Sequence, residues 1–241
     1  MILSDKHIVL THNGSVNPFK KLENFGATLH HFPMINIVPT ANVKAFNLSD
    51  YDYYIFTSKN GVVNFLNLDF VKEKSIKAIC LGEKTKQVLV ENGIEPVFVS
   101  KENYSSKLVE ELLESQLIEG KQVLLVLGNL ADDTLKNGLE SSCNVIRLNI
   151  YTTILETRKN EELEDLINIK ETVSVFTSPS SFKAFDKLYN AKKNTLVSIG
   201  NTTSNYIKMK GYNPEVIAEK QTYEGVLEAI INYYESKNIS I

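Results

Sequence analysis

The chain has 241 residues, 43% of them hydrophobic and 23% charged, with a formal net charge of −3. These proportions suit a folded globular protein of one large domain or two ordinary ones, and the charge gives no basic footprint for nucleic acid. No apolar run approaches bilayer length, the first ten residues lack a basic-then-apolar leader, and the two cysteines, Cys80 and Cys143, have no metal-type spacing and no expected disulfide, so a cytoplasmic protein with no membrane partner is expected.

Short runs rich in Val, Ile, Leu and Phe alternate with helical stretches. In chain order the pattern predicts strands at residues 7–11, 28–34, 53–58, 76–82, 95–100, 122–128, 144–151, 173–178, 195–200 and 214–218. Near-continuous apolar runs imply strands covered on both faces, and the alternation implies parallel sheets of right-handed βαβ units. Helices are predicted over residues 84–92 and 202–210, each followed by a glycine suited to the C′ position, Gly93 and Gly211. Another begins at Ser105 or Ser106, with Leu108, Val109, Leu112 and Leu113 on its buried side. Residues 159–165 read as a solvated helix face. Thr222 opens the last helix, which buries Val226, Leu227, Ile230 and Ile231.

The chain repeats itself. Phe56-Thr57-Ser58-Lys59-Asn60-Gly61 returns as Phe176-Thr177-Ser178-Pro179-Ser180-Ser181, and Gly82, Thr85, Gly93 and Pro96 return as Gly200, Thr203, Gly211 and Pro214. A repeat this long is a duplicated domain, and two like domains imply a cleft between them. The duplication is circularly offset, because the similar strand-helix-strand units at 7–38 and 122–152 stand on either side of the first block. The halves are therefore either consecutive, or the opening unit joins the C-terminal block and the middle of the chain is an insert crossed near 38–40 and 151–153.

Both Phe-Thr-Ser blocks and both Gly-x-x-Thr blocks, Gly82 to Thr85 and Gly200-Asn201-Thr202-Thr203, fall where a strand ends and a helix begins. In open α/β sheets ligands bind there, and helix N-termini offer free N–H groups to anions. Any one block is most simply a cap and a tight turn; their mirrored recurrence weighs equally for a ligand carrying several carboxylates or phosphates. There is no Gly-x-Gly-x-x-Gly, no P-loop and no Gly-x-Ser-x-Gly elbow. His30 and His31 adjoin in a strand and so point to opposite faces, a poor arrangement for a metal.

Taken in order, Phe56-Thr57-Ser58, Gly82-x-x-Thr85 with Gly93, Tyr151-x-Thr153, Phe176-Thr177-Ser178-Pro179-Ser180, Gly200-x-Thr202-Thr203 with Gly211, and Thr222-x-x-Gly225 resemble the uroporphyrinogen-III synthase family, from Ile8 to Tyr234. The resemblance implies two flavodoxin-like α/β domains with a cleft between them, joined by a two-stranded linker. Residues 1–38 plus 154–241 would form one, and 41–150 the other as an insert. It implies a monomeric lyase that uses no metal or organic cofactor and closes hydroxymethylbilane, a linear tetrapyrrole with eight carboxylates, into uroporphyrinogen III with inversion of the last ring and loss of water.

By the same resemblance Tyr151 is the proton donor; a phenol with an ordinary pKa of about 10 keeps its proton at neutral pH. Thr57, Ser58, Lys59, Gly82, Thr85, Thr177, Ser178, Gly200, Thr202 and Thr203 would hold substrate carboxylates. Where many members carry Arg after the first strand this chain has Thr11-His12, and Lys59 replaces the common Pro, so Lys59 and Lys84 are candidate counter-charges. A non-catalytic anion- or tetrapyrrole-binding module of the same fold is the alternative from another class. A sugar-phosphate enzyme would need an added acid/base residue at a strand end, and none is identifiable.

Overall fold

The structure, a computed structural model, describes residues 1–41, 43, 47–71 and 76–239. Contacts divide the chain into two compact units, Met1–Asn36 with Ile154–Ile241, and Ile37–Thr153. In chain order the strands are β1 (His7–Leu10), β2 (Thr28–His31), β3 (Ile35–Pro39), β4 (Tyr53–Phe56), β5 (Ala78–Leu81), β6 (Phe98–Ser100), β7 (Gln122–Gly128), β8 (Asn144–Leu155), β9 (Thr172–Phe176), β10 (Thr195–Ser198) and β11 (Val216–Ile217). The helices are α1 (Lys59–Leu66), α2 (Glu83–Glu91), α3 (Ser105–Ser115), α4 (Thr134–Leu139), α5 (Glu161–Ile167), α6 (Pro179–Leu188), α7 (Asn201–Met209) and α8 (Tyr223–Ile239).

The first unit has a parallel sheet ordered β11-β10-β9-β1-β2. The second has β3-β8-β7-β4-β5-β6, parallel from β8 to β6. Read from β1, the first order is 2-1-3-4-5; read from β7, the second is the same. The offset in the sequence repeat is thus a circular permutation of one topology. In each unit the order reverses between two neighbouring strands, β1 and β9 in one and β7 and β4 in the other, and a ligand crevice is expected beyond their carboxyl ends. At the edge of the second sheet β3 pairs with β8. Backbone bonds at the two ends of this pairing, Thr40 N–H to Ile150 O and Glu156 N–H to Met34 O, make it antiparallel.

Alternating side chains of each strand serve two cores, as the pleat requires. Ile8, Leu10, Val173, Val175 and Val197 face α8 and the 3₁₀ segment Asn17–Phe25, while Val9, Phe176 and Leu196 face α5, α6 and α7. In the second unit Tyr54, Phe56, Cys80 and Val126 face α1 and α2, and Ile55, Ile79, Leu125 and Leu127 face α3 and α4. Phe56 and Phe176 therefore do the same job. Phe56 meets Phe65 of α1 edge-on at 5.5 Å, and Phe176 meets Phe182 and Phe185 of α6 at 5.0 and 5.2 Å. The Phe of each Phe-Thr-Ser block pins the very helix that the Ser begins.

Several expected elements differ, for local reasons. The strand expected at 28–34 ends at His31: the Phe32 N–H still reaches the Leu10 carbonyl, but the Met34 N–H reaches that of Thr11 in place of His12, so the register slips at Pro33, and pairing resumes as β3. The strands expected from residues 95 and 214 start after Pro96 and Pro214, at Phe98 and Val216. The strand expected at 144–151 runs on to Leu155. The helix at Ser105 has Tyr104 as its N-cap residue with no side-chain cap, so neither serine caps it. Glycines 93 and 211 sit at φ +76 and +83 after α2 and α7, where other residues would be strained.

His30 and His31 point to opposite faces. His30 Nε2 lies 3.1 Å from His7 Nδ1, and His31 Nε2 lies 2.8 Å from the His12 carbonyl. Burial, then the neighbouring His7, push the His30 pKa below its ordinary 6.5, with Glu162 opposing. A histidine whose pKa is lowered on folding stabilises the fold above the unfolded value and loses that contribution as pH falls. The denaturation midpoint is therefore expected to fall as pH drops from 7 to 5, and His30→Gln should flatten that decline. An identical pH slope in the variant would remove His30 as a cause.

Candidate functional site

The two blocks are built alike. Ser58 (φ −154, ψ 152) and Ser178 (φ −160, ψ 155) leave their strands in extended conformation, and each Oγ accepts the N–H three residues on, from Gly61 and Ser181, at 3.1 Å. One helical N–H in each is thereby satisfied. Pro179 suits the first helical position after Ser178; Lys59, exposed, takes that position in the second unit. Thr57 and Thr177, half-buried, sit at the same rims.

The Gly-x-x-Thr turns differ from these in one respect. Their N-cap residues are Gly82 and Gly200, which bring no side-chain acceptor to the first turns of α2 and α7. Gly82 is at φ +78, and a Cβ there would clash with Asn103 Oδ1. A Cβ on Gly200 would lie 2.7 Å from Gln221 Cγ. The first turn thus needs glycine for its left-handed shape, whereas at Gly200 the exposed Gln221 side chain would have to move aside. Thr202 is exposed, whereas Thr85 and Thr203 are only 3% and 2% exposed. Burial, with Glu83 adding to it, pushes the Cys80 thiol up to about 12, so the sulfur beside the Gly82 turn is no nucleophile at neutral pH.

Tyr151 lies at the carboxyl end of β7. The β7–β8 register shifts between Leu127 and Gly128, which brings Tyr151 opposite Gly128. The ring rests on that glycine: a Cβ there would fall 2.5 Å from Tyr151 Cε2 and 2.8 Å from its oxygen, and nearer still to Cζ. The phenolic oxygen is 3.1 Å from Ser58 Oγ. A hydroxyl of β8 therefore stands at the β7/β4 reversal of the second unit, the position where such sheets bind ligands. Tyr151 and Ser58 are brought together within one unit. The four rim turns are divided between the units, with Thr57, Ser58, Lys59, Gly82 and Thr85 in the second and Thr177, Ser178, Gly200, Thr202 and Thr203 in the first.

Two supporting residues escape a reading of the sequence. Arg147 on β8 donates to the Gly128, Ala131 and Asp132 carbonyls at 3.3, 2.8 and 3.2 Å and pairs with Asp133 at 2.7 Å, fastening the turn after β7. Asn129 donates its N–H to the Tyr151 carbonyl at 3.2 Å and accepts the Thr153 N–H at 2.8 Å, fastening β8 beside it. The signal available for the first was rarity, since Arg147 and Arg158 are the chain's only arginines. Among the described residues no group of three or more His, Cys, Asp or Glu could hold a metal, and no helix is long and apolar enough to cross a membrane.

Two parallel α/β units of 2-1-3-4-5 order, one circularly permuted along the chain, make this a duplicated flavodoxin-like protein. The chain belongs to the uroporphyrinogen-III synthase family: the model described as Uroporphyrinogen-III synthase HemD matches residues 19–228. It is 30% identical over 215 residues to a Methanocaldococcus jannaschii protein that carries the uroporphyrinogen-III synthase name provisionally, covering 83% of this chain and 86% of that one. It is 26% identical over 222 residues to the uroporphyrinogen-III synthase of Chlorobaculum parvum, covering 84% and 88%. The crystal structure of uroporphyrinogen-III synthetase from Helicobacter pylori shares the fold, with a TM-score of 0.69 at 24% identity over 94% of this chain and 99% of that one.

Proposed function

We propose that this protein is a lyase that closes hydroxymethylbilane into uroporphyrinogen III, inverting the last pyrrole ring and releasing water. The observation that carries this reading is the Tyr151 hydroxyl at the strand-order reversal of a family member, seated on Gly128 and bonded to Ser58. Tyr151 gives its proton to the departing hydroxymethyl oxygen, which leaves as water. The carbocation is stabilised by its own pyrrole, so a weak acid suffices. The attacking pyrrole carbon sheds a proton when aromaticity returns, which balances the one given.

The substrate's carboxylates need donors rather than strong bases. The first turns of α2 at Gly82 and α7 at Gly200 supply N–H groups and a positive dipole end. Thr57, Thr177, Ser178 and exposed Thr202 add side-chain donors, and Lys59 adds charge. Thr85 and Thr203 face the core, so their part is to offer main-chain N–H groups and to seat those turns. The rest of the rate comes from holding the flexible chain so that one carbon attacks, which is catalysis by orientation.

The test is to supply hydroxymethylbilane and separate the product isomers. Isomer III in excess of the isomer I that forms without enzyme is the expected result. Isomer I alone would overturn the reading in favour of a binding module.

A further inference from the structure

The Phe-Thr-Ser blocks are matched in sequence and in cap geometry, yet their serines differ in what else they touch. Ser178 Oγ lies 3.0 Å from Ser180 Oγ, its own helix's second residue. Ser58 Oγ lies 3.1 Å from the phenolic oxygen of Tyr151, a residue of another strand. We propose that Ser58 is the positioning residue of that phenol: its hydroxyl donates to the Tyr151 oxygen, turns the phenol's proton outward, and holds the phenolate left when the proton departs. This rests on the reading of Tyr151 as the acid.

The direction of the bond follows from what Ser58 already does. Its oxygen accepts the Gly61 N–H at 3.1 Å, and a hydroxyl polarised by accepting one hydrogen bond is a better donor of the next. The oxygen is also held still, because the cap ties it to the first turn of an eight-residue helix. That turn is the positive end of the helix, which favours the negative charge that appears on the phenol. A donor fixed in advance toward charge that develops later is what lowers a barrier, since a bond to an ionised partner is roughly twice as strong as to a neutral one. Gly128 closes the arrangement from below by letting the ring lie flat against the backbone. The serine proton never leaves its oxygen; the phenol proton goes to the leaving water, and the phenolate regains one from the substrate carbon.

Ser58 is also a helix cap, so the experiment must separate the two roles. Ser58→Ala loses both. Ser58→Asp keeps the cap, since aspartate is among the preferred N-cap residues, but as a carboxylate it has no proton to donate. Ser58→Thr keeps both. Each is made in the full chain, alone and with Tyr151→Phe, and kcat, KM and denaturation midpoint are measured for isomer-III formation. Ser58→Ala and Ser58→Asp are expected to lower kcat by about 10-fold, the weight of one hydrogen bond to a charged group. The midpoint should fall only in the alanine variant, and Ser58→Thr should restore kcat. In the Tyr151→Phe background neither substitution should lower kcat further. Wild-type kcat in Ser58→Asp, or the same 10-fold loss without the phenol, would overturn the proposal while leaving Tyr151 as the acid. Wild-type kcat in Tyr151→Phe alone would remove the acid and this proposal with it.

Discussion

Tyr151→Phe is expected to lower kcat for isomer-III formation by on the order of 100-fold, the lower end of what a positioned proton donor contributes. KM should stay within about twofold, because the ring and the donors assigned to the carboxylates are untouched, and an interaction used only in the transition state appears in kcat. The structural cost is small. The variant loses one hydrogen bond, to Ser58, from a half-buried hydroxyl at a rim, worth about 1 kcal/mol. It keeps the ring's contact with Gly128. A separation of this kind, a large effect on turnover with a nearly unchanged denaturation midpoint, is what a chemical role predicts and a packing role does not. The isomer ratio is a second readout. As the enzymatic rate approaches the spontaneous one, isomer I should rise in the product. Unchanged turnover would remove Tyr151 as the acid and leave orientation by the rims to account for any isomer III formed.

The residues that can be read from the sequence are those whose work is local. Phe56 and Phe176 stand out because each is the last apolar residue of a strand, and both do pin the helix that follows. Gly93 and Gly211 are legible because a helix end needs a left-handed residue. The parallel character of both sheets follows from the alternation of apolar runs and helices, and the permutation from the order of the repeated blocks. Reading fails where the cause is distant or is a slip of register. At Pro33 the register against β1 slips by one residue and one apolar run becomes β2 and β3, which the pattern of side chains does not show. Ser58 and Tyr151 are 93 residues apart, and they meet only because the register shift beside Gly128 brings the ring over that glycine. Nothing local to Gly128 distinguishes it from any other strand-end glycine. Arg147 is similar: its two terminal guanidinium nitrogens are spent on a turn that sequence alone does not bring near it. Local chemistry thus marked the rims, while the geometry that makes Tyr151 a candidate acid arises from the pairing of β7 with β8.

Gly128→Ala is expected to have the larger combined effect, because one methyl group acts on both the fold and the phenol. The added carbon would occupy the space of the Tyr151 ring, 2.5 Å from Cε2 and 2.8 Å from the oxygen, well inside van der Waals contact. Neither neighbour yields easily: the glycine is held by the β7–β8 ladder and the ring by its own strand. The ring must swing off the backbone and so break its bond to Ser58. Overpacking of this kind costs about 1–3 kcal/mol. The displaced hydroxyl should lower kcat at least as far as Tyr151→Phe does. The phenylalanine ring does not relieve the clash, so Gly128→Ala with Tyr151→Phe should be as unstable as Gly128→Ala alone. Removing the ring does relieve it: Gly128→Ala with Tyr151→Ala should recover most of the lost stability, though not the activity. Residues in contact couple in such a cycle, and independent ones add. Additive losses when Gly128→Ala and Tyr151→Ala are combined, or wild-type turnover in Gly128→Ala, would mean that the ring does not rest on residue 128.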